Sequence, residues 1–393
     1  MAATVPRHAF TAQIEDILTR FFGEHAKAVF ANSPLLGYLN HKTKSASRGS
    51  KSRGSFANHY ALYVLVEDYI LKGFMPGQSR AGTYDTYEGA IYSDLHRRQR
   101  ELPFGAKLQN HALNTRLNDE FRKFYPLLDK EPIVRDIARP RYWLQEDLLK
   151  VSVTGKDGQT HEFNIAGAII DIITAYVAAK REAFEGFIES CRELALLEDV
   201  DGAQAVAFVE SQLRPEVDAR VFEIVSFAIL KAYYGDQQIF WGWSRDAITE
   251  ESLTLYKTGR TNANDGGIDF VMRPLGRFFQ VTETLDVNKY FLDIDKIQRF
   301  PLTFVVKSTA SAEGIKAVLA GQALVKYKIT SVVQSYLKAI EEIINIPMLL
   351  ERLSTVIAAG SIRAVLDEIA LQSKVEFNYE EASEDEADGD ESD

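Results

Sequence analysis

The chain has 393 residues, 45 Lys+Arg against 56 Asp+Glu, a formal net charge of −11 and 46% hydrophobic residues. This is a globular balance with enough length for two or three cores, and the single cysteine, Cys191, excludes an intramolecular disulfide framework and any cysteine-based zinc site. The acidity is local: the last 18 residues, Glu376 to Asp393, hold ten acids and no Lys or Arg, which leaves residues 1–375 at about −1. Such a like-charge block reads as a disordered acidic tail over 376–393. Met1 to Ile17 lacks the pattern of a secretory signal. The most apolar stretch, Ala166 to Ala179, is 14 residues long and contains Asp171, too short for a bilayer span. A soluble, cytoplasmic protein without membrane contact is the expectation.

Along the chain, Phe10, Ile14, Ile17, Leu18, Phe21 and Phe22 recur at helical spacing, and Tyr60–Leu71 predicts a second helix. Between them, Asn40–Ser55 is rich in Ser, Gly and Lys and reads as a loop. Further helices are predicted over Tyr84–Arg100 and Leu108–Tyr125. Leu148–Val153 and Thr160–Asn164 flank Lys156-Asp157-Gly158 and predict a hairpin. Helices follow at Ile165–Leu197, Ala203–Leu213 and Pro215–Tyr234, the last with Pro215 in its first turn. Gln238–Trp243 reads as a short strand and Ser244–Thr258 as a helix capped by Ser244. After a Gly/Asn loop come strands at Ile268–Met272 and Phe278–Glu283, a helix at Asp286–Arg299 and a strand at Leu302–Val306. Residues 326–373 read as helical. Phe240, Trp241 and Trp243 are expected in the core, as are Tyr142 and Trp143, with Cys191 buried and inert.

The stretch with most chemistry runs from Lys257 through Arg260, Asn262 and Gly266-Gly267-Ile268-Asp269 to Gln280-Val281-Thr282-Glu283. Paired glycines let the backbone turn tightly into a strand. An acid at a strand's start, with oxygen-bearing Gln280 and Thr282 on one face of the next strand, gathers hard ligands suited to Mg²⁺. All seven histidines precede residue 162, which removes histidine-dependent nuclease and Ser-His-Asp chemistry from this region. No Walker loop or dinucleotide fingerprint is present. From His25 to Val66 there is no acid, and Lys42, Lys44, Arg48, Lys51 and Arg53 suit phosphate contacts. His96-Arg97-Arg98-Gln99-Arg100 and the run from Lys107 to Asn118 are weaker candidates for DNA contact.

The Gly266–Asp269 … Gln280-Val281-Thr282 arrangement resembles the core of the PD-(D/E)XK nuclease superfamily, and its wording is most similar to type II restriction endonucleases, the ApaLI-like group among them. The resemblance covers about residues 240–310. It implies a mixed α/β fold: a restriction-endonuclease-like core of a short central sheet flanked by helices, beside a large mainly helical N-terminal region. The expected organisation is a recognition region over 1–235, a nuclease core over 236–310, C-terminal helices over 311–375 and the acidic tail. The resemblance further implies Mg²⁺ on Asp269, Gln280 and the Val281 carbonyl, and a catalytic acid from an upstream helix, Glu250 or Glu251. Thr282 stands where the family carries Lys, so Lys257 or Lys307 is expected to supply the cation. Strand alternation points Glu283 to the opposite face. Arg260 and Asn262 would lie near the scissile phosphate. Double-stranded DNA, a homodimer and a cognate methyltransferase are the partners implied. A DNA-binding protein that has lost catalysis, or a nuclease acting on modified DNA, is the alternative.

Overall fold

The computed structural model describes residues 6–44, 46, 53–106, 108–155, 158–196, 202–258 and 268–377. The chain is mixed α/β and divides into two compact units, the first running to Phe187 and the second spanning Ile188–Glu376. No helix among the described residues is long and apolar enough to cross a membrane. The acidic tail, apart from Glu376 and Phe377, lies outside the described residues.

The first unit holds α1 (Thr11–Phe22), α2 (Ala26–Asn32), α3 (Pro34–Lys42), α4 (Arg53–Leu71), β1 (Ala90–Ile91), α5 (Tyr92–Glu101), α6 (Leu117–Phe124), β2 (Ile133–Asp136), β3 (Arg141–Leu144), β4 (Lys150–Thr154) and β5 (Thr160–Asn164). Helix α7 (Ala166–Leu196) contains the boundary between the units. Helix α4 is apolar on every side, burying Phe56, Tyr60, Leu62, Leu65, Val66 and Tyr69, as a helix at the centre of a core must. Strands β4 and β5 form the expected antiparallel hairpin, with Val151 opposite Phe163 and Gly158 in the left-handed region. The predicted helix over Tyr84–Arg100 is corrected: only Tyr92–Glu101 is α-helical, and β1 precedes it. Gly89 is the reason. Its φ is +87°, and the Trp143 ring occupies the space where a Cβ would stand.

The second unit contains α8 (Ala203–Ser211), α9 (Ala219–Gly235), a separate hairpin of β6 (Gln238–Trp241) and β7 (Thr249–Ser252), then β8 (Thr254–Lys257), β9 (Phe270–Arg273), β10 (Arg277–Thr282), α10 (Val287–Lys296) and β11 (Leu302–Val306). It ends with α11 (Ala312–Tyr327), α12 (Thr330–Lys338), β12 (Ile340–Ile344), α13 (Ile346–Ala358) and α14 (Ile362–Phe377). Its main sheet has the order β12-β11-β10-β9-β8, antiparallel from β8 to β10 and parallel from β10 to β12. All five residues of β11 are buried, the pattern of a central strand covered on both faces. On one face Phe227 and Tyr234 of α9 meet Phe270 and Phe279, with ring centroids 5.1 and 6.1 Å apart. On the other, Tyr290 and Phe291 of α10 pack with Leu302, Phe304 and Val306 and with Ile315 and Leu319 of α11.

Four expectations are overturned here. Ser244–Thr258 is not a helix: it holds a short 3₁₀ turn at Arg245–Ala247 and the strands β7 and β8. Leu253 and Leu255 are buried at period two among Thr and Tyr, which selects extended backbone. Residues 326–373 include β12, Ile340-Glu341-Glu342-Ile343-Ile344, because five residues are too few for the periodicity to separate a strand from a helix. Helix α9 begins after Pro215, at the Asp218 cap, whose carboxylate accepts the Arg220 N–H at 2.8 Å. The first unit ends near 187 and not at 235, since α9 supplies one wall of the sheet's core and belongs with it; the presumed C-terminal helices likewise belong to the same unit as the sheet.

Phe304 lies 4.4 Å from the Tyr290 ring and is fully buried. Phe304→Ala is expected to cost about 3–5 kcal/mol by removing buried contacts and leaving a cavity. Urea unfolding monitors this, and a loss below about 1 kcal/mol would show that the face between sheet and α10 repacks freely.

Candidate functional site

The site begins where a backbone ladder stops. Strands β9 and β10 are paired from Met272–Arg277 to Phe270–Phe279, and one further bond runs from Asp269 N–H to the Phe279 carbonyl at 2.9 Å. Beyond that point Val281 has no backbone partner on the β9 side among the described residues. A strand residue directs its N–H and C=O to the same edge, and both need partners when water is excluded. The Asp269 carboxylate takes the Val281 N–H at 2.7 Å, and the Gln280 side-chain amide donates to the Val281 carbonyl at 3.2 Å. Asp269, Gln280 and the Val281 peptide therefore converge as the sequence predicts. The Gln280 amide oxygen is buried and has no hydrogen-bond partner among the described residues.

Electrostatics around Asp269 are unusual. Burial, then the neighbouring charge of Glu223, pushes its pKa up to about 7, against the opposing effects of the Val281 N–H, Arg220 and Lys257. Glu223 lies on α9, one turn in from the Asp218 cap. It is held by Arg220 on its own helix and by Lys257 at the end of β8, 3.3 Å away. Thr258 fixes the backbone of Asp269 from the other side, its N–H reaching the Asp269 carbonyl at 2.9 Å.

The oxygen set fits a divalent cation. The Asp269 carboxylate, with the Glu223 carboxylate near it, the Gln280 amide oxygen and a backbone carbonyl are hard ligands, and Mg²⁺ typically takes one or two carboxylates and keeps several waters. Among the described residues no three His, Cys, Asp or Glu side chains form a metal cluster. The amide and the carbonyl are what complete this set.

Other expected residues are distributed differently. Glu251 is exposed on β7 opposite Ile239, and Glu250 faces Phe240, so neither lies on a helix; the carboxylate whose charge reaches Asp269 is Glu223 of α9. Lys257 sits on a strand and not on a helix, paired with Glu223. Lys307 is committed to Glu283 at 2.5 Å and to the Val217 carbonyl. Thr282 is buried, and its hydroxyl accepts from Lys289 of α10 at 3.2 Å. Lys289 thus places a cation beside Thr282. Sequence reasoning overlooked it because its register comes from a helix and not from the strand. Phe240 and Trp243, expected in the core, are 72% and 92% exposed on the β6–β7 hairpin.

Of the basic candidates, Lys42 is bonded to Glu120 at 2.6 Å, beside Arg116 at 3.0 Å and Asn58 at 2.7 Å. It ties α3 to α6. Lys44 is exposed. Arg48, Lys51, Arg260, Asn262, Gly266, Gly267 and Lys107 lie outside the described residues, as does the side chain of Arg53. Arg97 pairs with Asp94, Arg98 with Glu67, and Gln99 is buried against the Ala57 carbonyl. Asn114 accepts from Tyr142, and Asn118 binds Glu131 and Ile133. These groups serve the fold.

No family model, curated protein or solved structure matches the chain.

Because the folded-state pKa of Asp269 stands above its ordinary value, the fold favours the protonated carboxyl. Its contribution to stability is complete below the ordinary value of 3.8 and is lost as pH rises through about 7. Asp269→Asn cannot ionise and keeps an acceptor for the Val281 N–H. In chelator, the variant is expected to gain stability relative to wild type between about pH 5 and about pH 8 in urea titrations. Parallel pH profiles for the two proteins would show that Asp269 ionises at an ordinary pH.

Proposed function

We propose that this chain is a Mg²⁺-dependent endonuclease of the PD-(D/E)XK type, hydrolysing phosphodiester bonds of double-stranded DNA at a defined sequence in the manner of a type II restriction enzyme. The observation that carries the reading is the meeting of Asp269, the Gln280 amide and the Val281 peptide at the open end of the β9–β10 ladder. The succession α9, β8, β9, β10, α10, β11 around it agrees with the order of elements in that superfamily's core.

Asp269, the Gln280 amide oxygen and the Val281 carbonyl would hold Mg²⁺, which when bound neutralises phosphate charge and acidifies water. Glu223, fixed by Arg220 and Lys257, sets the negative field at Asp269 and is available to accept a proton from the attacking water. Lys289, anchored on the Thr282 hydroxyl, brings positive charge to the place where negative charge develops on the phosphate. Two copies acting on a palindromic site, with a methyltransferase protecting host DNA, complete the reading.

A second reading has its own support: Gln280 is neutral and Thr282 replaces the family's strand lysine, which favours a DNA-binding protein whose catalysis has weakened. Plasmid cleavage with Mg²⁺ or Mn²⁺, run beside a mobility shift, separates the two. Under the first reading Asp269→Ala and Lys289→Met each lower the cleavage rate by about a hundredfold or more. Glu223→Gln does likewise, and Glu251→Gln leaves it unchanged. Shifted DNA that is never cut by wild type would establish the second reading, and undiminished cutting by Asp269→Ala would remove this site from the mechanism.

A further inference from the structure

A cavity of about 930 Å³ opens in the first unit, lined by the C-terminal half of α4, the 86–91 segment, α5 and Arg141. Its size is in the range of small-molecule sites, about 300–1,000 Å³. Part of its charge is internally balanced. Arg98 grips Glu67 through bonds of 2.8 and 2.9 Å, and Arg97 holds Asp94 at 2.8 Å.

Other lining groups are not balanced. Arg80 and Arg141 are half-buried, and neither has a carboxylate partner among the described residues. The Arg80 guanidinium lies 4.4 Å over the Phe74 ring, and Arg141 donates one N–H to the Gly89 carbonyl at 3.1 Å. Each guanidinium carries five donors in a planar fork that matches phosphate. Withdrawing such a group from water without an anion is unfavourable, so an anionic occupant would stabilise both.

Asp68 presents the opposite chemistry on the same wall. It is half-buried, takes the Tyr87 hydroxyl on Oδ2 at 2.8 Å, and leaves its other oxygen without a partner among the described residues. Burial raises its proton affinity, which favours an occupant that brings hydrogen-bond donors. Glu88, also unpaired on this wall, is solvent-exposed.

We propose that this cavity binds a nucleotide, with its phosphate on Arg80 and Arg141 and an exocyclic amino group of its base on Asp68. The occupant is either a free mononucleotide or an unpaired residue of a bound strand. The assignment is independent of the Asp269 site and holds whether or not that site cuts DNA.

Equilibrium dialysis of the full chain tests it with cytidine 5′-monophosphate, uridine 5′-monophosphate, inorganic phosphate and a short single-stranded oligocytidylate. The cytidine nucleotide is expected to bind about tenfold or more tightly than the uridine nucleotide or phosphate, because a carboxylate accepts from the cytosine amine. Arg80→Gln weakens it by a similar factor, and Asp68→Asn, which can donate to the uracil carbonyl, reverses the preference between the two bases. Arg97→Gln, whose guanidinium is held by Asp94, leaves affinity unchanged. Binding of the mononucleotide identifies a free ligand. Binding of the oligonucleotide alone, with the same sensitivity to Arg80→Gln and Asp68→Asn, identifies a strand residue. The proposal is overturned if nothing binds, if phosphate binds as tightly as the cytidine nucleotide, or if both variants, folded by circular dichroism, bind as wild type does.

Discussion

The polar backbone of one residue, Val281, governs what the second unit can do. Its neighbours Gln280 and Thr282 are paired with β11, while the register with β9 ends at Phe279, so its own N–H and C=O face a strand that has already turned away. A buried peptide edge without partners is costly, so side chains must supply what the ladder does not. Asp269 and Gln280 do so, and in doing so they arrive beside one another. The geometry of the site is a consequence of how far two strands stay together. This explains why an acid is tolerated at the head of a strand, where its intrinsic preference is poor.

The same accounting explains how the positive charge is used. Arginines and lysines that look like a DNA-facing surface in one dimension are drawn into internal pairs in three: Lys42 and Arg116 on Glu120, Arg98 on Glu67, Lys307 on Glu283. Half-buried pairs such as Lys42–Glu120 contribute more to registering α3 against α6 than to any external field, because each carboxylate cancels the charge that would reach outward. In these pairs the cation is matched by a carboxylate of the fold itself.

Much of this was legible in the sequence, and the failures have physical causes. The hairpin at β4–β5, the strands β9, β10 and β11 and the helix between the last two follow from turn residues, alternation and caps that act over a few positions. Asp269 and Gln280 were legible because two adjacent strands bring them together at short range. Glu223 was not: it lies 46 residues before Asp269, and only packing of α9 against the sheet brings its charge to bear. The error over Ser244–Thr258 followed directly, since reading that stretch as a helix made Glu250 or Glu251 the obvious acid. Strand β12 escaped for a different reason: five residues are too few for period two and period 3.6 to separate.

The pairing of Glu223 with Asp269 is the least favourable feature of the unit when considered for stability alone. Burial and the neighbouring charge of Glu223 oppose the ionisation of Asp269, and Arg220 and Lys257 offset only part of that. A sequence selected for the fold alone would replace either acid by an amide of the same shape, which would still satisfy the Val281 N–H. The Gln280 oxygen adds to this cost, because a buried acceptor with no partner among the described residues loses its hydration without a replacement.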